Sequence, residues 1–207
     1  ETAIDFFRMG AYAHFSKYFF DDSFMISGGF RSDINTFTDD GLNPLKTISP
    51  RVSVSYATND KWNVSASVGS YYKLPVYTML GYRDTDNALV NKDLKYINAV
   101  HYTVGTQFIP RNDFRFTVEA FYKDYNNYPV SLESGISFAN IGTDYSAVGG
   151  ENYVSTGKGR VYGLETYVQQ KLIKNLFYVA SATVYKSEFS GVDNKFNPST
   201  WDYGFII

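Results

Sequence analysis

The 207-residue chain contains no cysteine. This excludes a disulfide framework, a thiolate metal site and a cysteine nucleophile. Basic residues are not in excess, because 19 Lys and Arg stand against 21 Asp and Glu for a formal net charge of −2. The sequence therefore offers no electrostatic basis for binding nucleic acid. No apolar run approaches the roughly 18 residues that a membrane-spanning helix needs.

Aromatic side chains, in contrast, are abundant. They make up 18% of the chain, and tyrosine alone occurs 19 times. Tyrosine suits positions where one end of a side chain is apolar and the other end meets water, as at a membrane surface.

The stretch 113–170 shows the clearest pattern, a strand followed by a long loop and a returning strand. One face of its first arm is apolar. The other face carries the charged residues and also Phe121. The apolar face comprises Phe114, Phe116, Val118, Ala120 and Tyr122, and the other comprises Arg115, Thr117, Glu119 and Lys123. A period of two residues predicts a β-strand rather than a helix.

The same alternation recurs along the chain and predicts eight strands. These are residues 5–17, 24–34, 48–56, 62–68, 100–108, 113–125, 160–172 and 176–185. Their connections alternate between short and long. The short turns are 18–22, 57–61, 110–113 and 173–175, and the long loops are 35–46, 73–96, 126–158 and 186–199. Short turns at one end and long loops at the other are typical of an outer-membrane meander.

Charge follows the same division, since the middle of every predicted apolar face lacks an ion. Aromatic residues also gather near both ends of the strands, as in the two girdles of a membrane barrel. Those on the short-turn side are Phe15, Tyr18, Phe19, Phe20, Trp62, Phe108, Phe114, Phe177 and Tyr178, and those on the loop side are Tyr71, Tyr72, Tyr122, Tyr125, Tyr162 and Tyr185. The fold class predicted is all-β, an antiparallel transmembrane β-barrel meander. A soluble β-sandwich with a single buried face is the alternative.

Four segments resemble TonB-dependent outer-membrane receptors: residues 49–56, 71–75, 119–125 and 157–165. The resemblance implies a 22-stranded plugged barrel, of which residues 1–207 would supply about eight to nine strands, without the plug domain or the closing strands. Both ends of the chain look cut, which favours this interpretation. A small outer-membrane barrel of eight to ten strands, acting as an adhesin or enzyme, is the second hypothesis.

The resemblance also implies a function and partners. It implies energy-coupled uptake of a scarce nutrient, such as a metal chelate, a vitamin or an oligomeric nutrient, across the outer membrane of a Gram-negative bacterium. Partners would be outer-membrane lipid, the plug and remaining strands, an unknown small ligand, and the TonB complex reached only through the plug.

Candidate binding residues lie in the long loops, because loops on a rigid scaffold usually carry binding. They are Tyr77, Tyr82, Tyr128, Tyr145 and Tyr153. We expect no catalytic residue, no metal site and no cofactor. His14 and His101 lack a third ligand in sequence and are expected to form hydrogen bonds in the lumen, and Glu119 and Glu165 are expected to join a lumen ion network.

Overall fold

A computed structural model describes residues 4–142, 148–173 and 175–207 of the chain. In these ranges the chain is almost entirely β-structure. Its strands are β1 Arg8–Phe19, β2 Phe24–Asn35, β3 Ser49–Asn59, β4 Trp62–Lys73, β5 Ile97–Arg111, β6 Phe114–Ser131, β7 Tyr153–Ile173, β8 Leu176–Ser190, β9 Phe196–Pro198 and β10 Phe205–Ile206. One short helix, α1 (Tyr77–Leu80), and two 3-10 turns, Pro44–Thr47 and Phe138–Asn140, lie in the connections. Among the described residues, no helix is long and apolar enough to cross a membrane.

All the strands described belong to one antiparallel sheet. Each strand from β1 to β8 pairs with the next in sequence, β10 pairs with β8 in the path, and β9 also pairs with β8. A sandwich needs two sheets packed face to face. The sandwich alternative is therefore wrong for the described part of the chain, and the predicted meander is confirmed.

The strands are long. The eight principal strands run from 11 residues in β3 to 21 residues in β7. About 9–11 residues suffice for a tilted strand to cross a bilayer. Each predicted strand is present, and most extend a few residues further toward the long-loop end of the sheet.

The predicted bounds of two loops are wrong. β6 continues to Ser131 and β7 begins at Tyr153, so the loop between them is residues 132–152 rather than 126–158. Gly157 and Gly159 consequently lie inside β7, in register with Tyr128 and Tyr125 of β6. β8 likewise continues to Ser190, which shortens the predicted 186–199 loop.

The register confirms the predicted division into two faces. Paired residues on neighbouring strands point to the same side of a sheet. From β2 to β8, one row of the sheet is uniformly apolar: Ile26, Val54, Ala66, Val104, Ala120, Leu164 and Val184. On β1 this row ends at Lys17, next to the short turn. The row next to it, on the opposite face, begins Ser27, Ser53, Ser67 and Thr103. We call these the apolar face and the polar face.

Aromatic girdles border the apolar face at both ends. On the short-turn side, Trp62 stacks on Phe108 with ring centroids 4.4 Å apart. On the long-loop side, Tyr122 lies 6.4 Å from Tyr102 and 6.2 Å from Tyr162.

The predicted loop-side girdle needs one correction. Tyr71, Tyr125 and Tyr185 lie on the polar face, because they alternate with the apolar-face residues of their strands. They therefore cannot belong to a belt on the apolar side.

The buried core of the molecule sits among the long loops, at one end of the sheet. Its buried members are Leu74, Met79, Leu80, Leu94, Tyr96 and Tyr153. Helix α1 contributes two of them, and Phe37 and Phe138 pack on the cluster from neighbouring loops. We call this cluster and the loop 74–96 the loop cap.

Candidate ligand-facing surface

Glycine creates space on the polar face around Arg51. Arg51 pairs with Gly29 on β2 and with Gly69 on β4, so neither neighbour carries a side chain. A Cβ at Gly69 would lie 3.0 Å from Arg51 Cγ and 3.1 Å from the hydroxyl of Tyr71. The Arg51 and Tyr71 side chains therefore fold over this glycine.

A chain of side chains in contact continues from Arg51, with further members on β4, β5, β6 and β8. The Arg51 guanidinium carbon lies 4.3 Å from the Tyr71 ring centroid, and that ring lies 4.5 Å from the His101 ring. We call the series the aromatic track; its members are Arg51, Tyr71, His101, Tyr125, Phe189 and Tyr128. Its later ring centroids are separated by 6.4 Å, 5.3 Å and 4.5 Å, in the order given. These separations are typical of aromatic contacts.

A β-bulge brings Tyr128 into the track. Tyr125 pairs with Gly159 and Tyr128 with Gly157, so two residues of β6 face Lys158 alone. Asn127 accommodates the irregularity with a φ of 56°, a left-handed conformation that asparagine tolerates better than most residues. The bulge therefore turns Tyr128 to the same face as Tyr125, a common use of such irregularities.

A concavity of about 530 Å³ adjoins the Arg51 end of the track. It is lined in part by Tyr12, His14, Arg31, Arg51 and Tyr71. Arg31 is engaged by a carboxylate: its Nη2 lies 2.6 Å from Oδ1 of Asp33. Among the described residues Arg51 makes no such ion pair, so its guanidinium donors remain available at the wall of the concavity.

Hydrogen bonds inside the loop cap hold Tyr153 and Asn91 together. The Tyr153 hydroxyl donates to Glu151 Oε1 at 2.8 Å, and the Tyr153 amide donates to Asn91 Oδ1 at 2.9 Å. Asn91 Nδ2 in turn donates to the carbonyl oxygens of Met79 and Glu151. The side-chain amide of Asn91 and the backbone amide of Tyr153 thus both have hydrogen-bond partners, as a packed interior requires.

Burial and charge perturb two tyrosines at this end of the sheet, beyond the loop-side girdle. Burial, followed by the hydrogen bond to Glu151 and its charge, raises the pKa of Tyr153. Burial beside Tyr125 raises the pKa of Tyr128 to about 12. Both phenols therefore stay neutral at a higher pH than an exposed tyrosine does.

The five candidate tyrosines occupy different surroundings. Tyr77 on α1 is 56% exposed and meets Phe6 edge-on, with ring centroids 5.5 Å apart. Tyr82 is half-buried in the same loop. Tyr128 lies within β6 rather than in a loop, Tyr153 is 1% exposed at the start of β7, and Tyr145 lies outside the described residues.

Sequence reasoning missed the track as a unit. The alternation predicts that Arg51 and His101 lie on the polar face, but the gathering of aromatic residues near the strand ends assigns Tyr71 and Tyr125 to a girdle. The alternation continued from Ser67 along β4 and from Glu119 along β6 places both tyrosines on the polar face. Phe189 gave no usable signal, because it follows the predicted end of its strand.

The two predicted lumen carboxylates are direct neighbours. Glu119 pairs with Glu165 across β6 and β7. In the described part of the chain, neither forms a salt bridge, and no group of three or more His, Asp or Glu is arranged to hold a metal ion.

Comparison with known families identifies this arrangement. The family model described as TonB dependent receptor-like, beta-barrel, matches residues 3–204. The chain belongs to this TonB-dependent receptor family. Its members are outer-membrane receptors and transporters of Gram-negative bacteria rather than enzymes. The apolar face is accordingly the lipid-facing surface of a barrel wall, and the polar face lines the lumen.

Solved structures support the fold. The pyoverdine outer-membrane receptor FpvA of Pseudomonas aeruginosa PAO1 is 18% identical with a TM-score of 0.64, and 96% of this chain aligns with 27% of it. The alcaligin outer-membrane receptor FauA of Bordetella pertussis is 14% identical with a TM-score of 0.59, over 93% of this chain and 32% of that one. The ferric-catecholate import receptor Fiu of E. coli K12 is 15% identical with a TM-score of 0.57, over 88% and 29%.

The chain thus spans about a third or less of the length of these receptors. No curated protein sequence matches it.

Proposed function

We propose that this chain forms part of the barrel wall of a larger, plugged outer-membrane receptor, which takes up a scarce nutrient by an energy-coupled mechanism. The observation that supports this most directly is the aromatic track. It extends along the lumen face from Tyr128, near the loop cap, to the concavity beside Arg51. A ligand captured among the loops would meet stacking surfaces along the wall.

Of a metal chelate, a vitamin and an oligomeric nutrient, the chemistry of the track favours an anionic metal chelate with planar ligand groups. Aromatic faces can stack on such groups, and a guanidinium can bind carboxylate or phenolate oxygens in two-pronged fashion. The similar structures are outer-membrane receptors for pyoverdine, alcaligin and ferric-catecholate. We extend that ligand class, though no individual ligand, to this chain.

The loop tyrosines receive different roles in this proposal. Tyr77 and Tyr82 would meet the ligand first, because they keep exposed surface at the loop cap. Tyr145, a candidate from the sequence, is proposed as a further contact with the ligand. Tyr128 would act within the track, and Tyr153 would support the cap from its buried position.

The plug is proposed as the partner inside the lumen. Like charges directly opposite each other on neighbouring strands destabilise a sheet. Glu119 and Glu165 have this arrangement. A cationic side chain of the plug, placed between the two carboxylates, would relieve their repulsion. The TonB complex would act through that plug.

Substitutions on opposite faces of one strand test the proposal. In the complete receptor that contains this chain, Tyr125→Ala removes a track ring and Tyr122→Ala removes a girdle ring of the same type. Binding would be measured with a ferric catecholate, a ferric hydroxamate and a corrinoid as probes. Uptake would be measured in cells with and without an uncoupler of the proton gradient.

We expect Tyr125→Ala to weaken binding of a ferric chelate roughly fivefold, since a lost aromatic contact costs about 1 kcal/mol. Tyr122→Ala should bind like the parent receptor, and the uncoupler should stop uptake without affecting binding. Chelate binding that is unchanged by Tyr125→Ala, or uptake that survives the uncoupler, would contradict the proposal.

A further inference from the structure

The loop between β2 and β3 divides into two halves with different surroundings. Its first half turns toward the loop cap: Asn35 Nδ2, at the end of β2, donates to the Tyr96 hydroxyl at 3.0 Å, and Phe37 packs against the cap. Its second half, residues 42–48, contains the 3-10 turn Pro44–Thr47. We call residues 42–48 the foot of this loop.

Hydrogen bonds attach the foot to the lipid-facing side of β2. Ser32 faces the lipid side, because it pairs with Ala11 and is two residues from Phe30. Its hydroxyl donates to the carbonyl oxygen of Pro44 at 2.6 Å. The buried Thr47 hydroxyl accepts from the Asp33 amide and donates to the Asp33 carbonyl oxygen, filling the edge of β2 beyond the end of β3.

The foot exposes apolar side chains. Leu42 is 65% exposed, Leu45 is 74% exposed and Ile48 is 43% exposed. Ile48 lies on the lipid-facing side by register, since it is two residues before Pro50, which pairs with Phe30. Ile48 therefore continues the lipid-facing surface beyond the end of β3, and Leu42 and Leu45 are exposed in the same foot.

The lipid-facing band reaches unusually far along the strands at this position. In a single row of the sheet, the residues are Ala13, Phe30 and Pro50 on the first three strands. When the register of β3 and β4 is continued by one residue, the row passes through Ser70 and Val100. It then reaches Asp124, Arg160 and Glu188 on β6–β8. Because barrel strands are tilted, a membrane-parallel band crosses the rows diagonally. Apolar residues should accordingly extend further up β1–β3 than up β6–β8.

The height of the foot fits within this diagonal band. Ser32, which holds the foot, is level with Ala11, and the apolar side of β1 continues past it to Met9, which is 55% exposed. β3 ends before this height, at Ser49. The foot thus occupies the place on the barrel surface that β3 leaves open.

The backbone of the foot is also suited to an apolar setting. The Leu45 amide donates to Asn43 Oδ1 at 3.0 Å, and the Lys46 amide donates to the Asn43 carbonyl oxygen at 3.2 Å. Such internal pairing is what irregular backbone needs near lipid. Lys46 Nζ lies 3.4 Å from Asp40, so the nearest charges neutralise each other.

We propose that the foot is a membrane-anchoring element, with Leu42, Leu45 and Ile48 seated among the acyl chains of the outer leaflet. Lys46 lies at the level of the headgroups, which long basic side chains reach readily. The same loop contacts the cap through Phe37, next to Asn35 at the end of β2, so the membrane fixes one margin of the loop cap. This segment of a predicted receptor loop then faces lipid rather than ligand.

Spin labels on single cysteines test this placement, because the chain has no cysteine of its own. In the complete receptor, with any other cysteine replaced by serine and reconstituted in phospholipid bilayers, the label is placed by Leu45→Cys. Val52→Cys reports the established lipid-facing surface. Leu132→Cys is the matched loop control, a leucine that is 53% exposed beyond the end of β6.

Collision rates with oxygen, which concentrates in lipid, and with a water-soluble nickel complex give the result. We expect the ratio of oxygen to nickel collisions at position 45 to match position 52 and to exceed that at position 132. A ratio at position 45 equal to that at position 132 would overturn the proposal. Protection of position 45 from both reagents would also overturn it, since that result indicates a covering protein instead of lipid.

Discussion

Individual glycines decide where the large side chains of the lumen wall can lie. A Cβ at Gly159 would collide with the Phe189 ring, and one at Gly163 would lie 2.9 Å from the ring of Phe121. Each glycine sits beside an aromatic residue on a neighbouring strand. The ring covers a position where a glycine would otherwise weaken the sheet.

Replacing Gly159 should therefore disturb the aromatic track. We expect Gly159→Ala to lower the free energy of unfolding by about 1–3 kcal/mol, the usual cost of overpacking. Gly142→Ala is the control, because nothing lies within 4 Å of a Cβ built there. Denaturant unfolding of the complete receptor measures both variants. Equal stability of the two would show that the ring can move aside freely.

The limits of sequence prediction also appear at particular residues. The alternation of apolar and polar residues predicts the eight strands, because all of them share a period of two. The middle of each apolar face also lacks a charged residue. The end of β6 was missed because residues 125–129, Tyr-Asn-Asn-Tyr-Pro, resemble a turn. The structure absorbs Asn127 in a bulge and continues the strand, which only the pairing with β7 makes possible. The track spans β3 to β8, so strand-by-strand patterns could not assemble it.

At the scale of elements, the loop cap depends on a phenol that stays neutral. The pKa of Tyr153 is raised from its ordinary value of 10.0. Because the folded chain holds this proton more tightly than the unfolded chain, the resulting stabilisation is complete below pH 10. It is lost as the pH rises through the higher pKa of the folded state.

Removing the hydroxyl should change both the stability and its pH dependence. We expect Tyr153→Phe to lower stability by about 2 kcal/mol at pH 8, the range for a hydrogen bond to a charged partner. Above pH 10 its stability should decline less steeply than that of the parent. Near-UV circular dichroism melts measure this, with the exposed Tyr77→Phe as control. Parallel pH curves for all three proteins would show that Tyr153 titrates normally.

At the scale of the whole molecule, one sheet separates the lipid from the barrel lumen. The lipid-facing band runs diagonally across the rows of the sheet, and the lumen face carries the aromatic track and the Glu119–Glu165 pair. The loop cap closes one end of the wall through a buried core. The foot links that cap to the membrane surface in our proposal.

The central claim is that successive residues of one strand face lipid and lumen in turn, and β6 tests it most directly. Spin labels on single cysteines at positions 116–124 of the complete receptor, in bilayers, would be scored by their oxygen collision rates. We predict a period of two, with high rates at even positions such as 120 and 122 and low rates at odd positions such as 119 and 121. A profile without that period, or with the high rates at odd positions, would contradict the account.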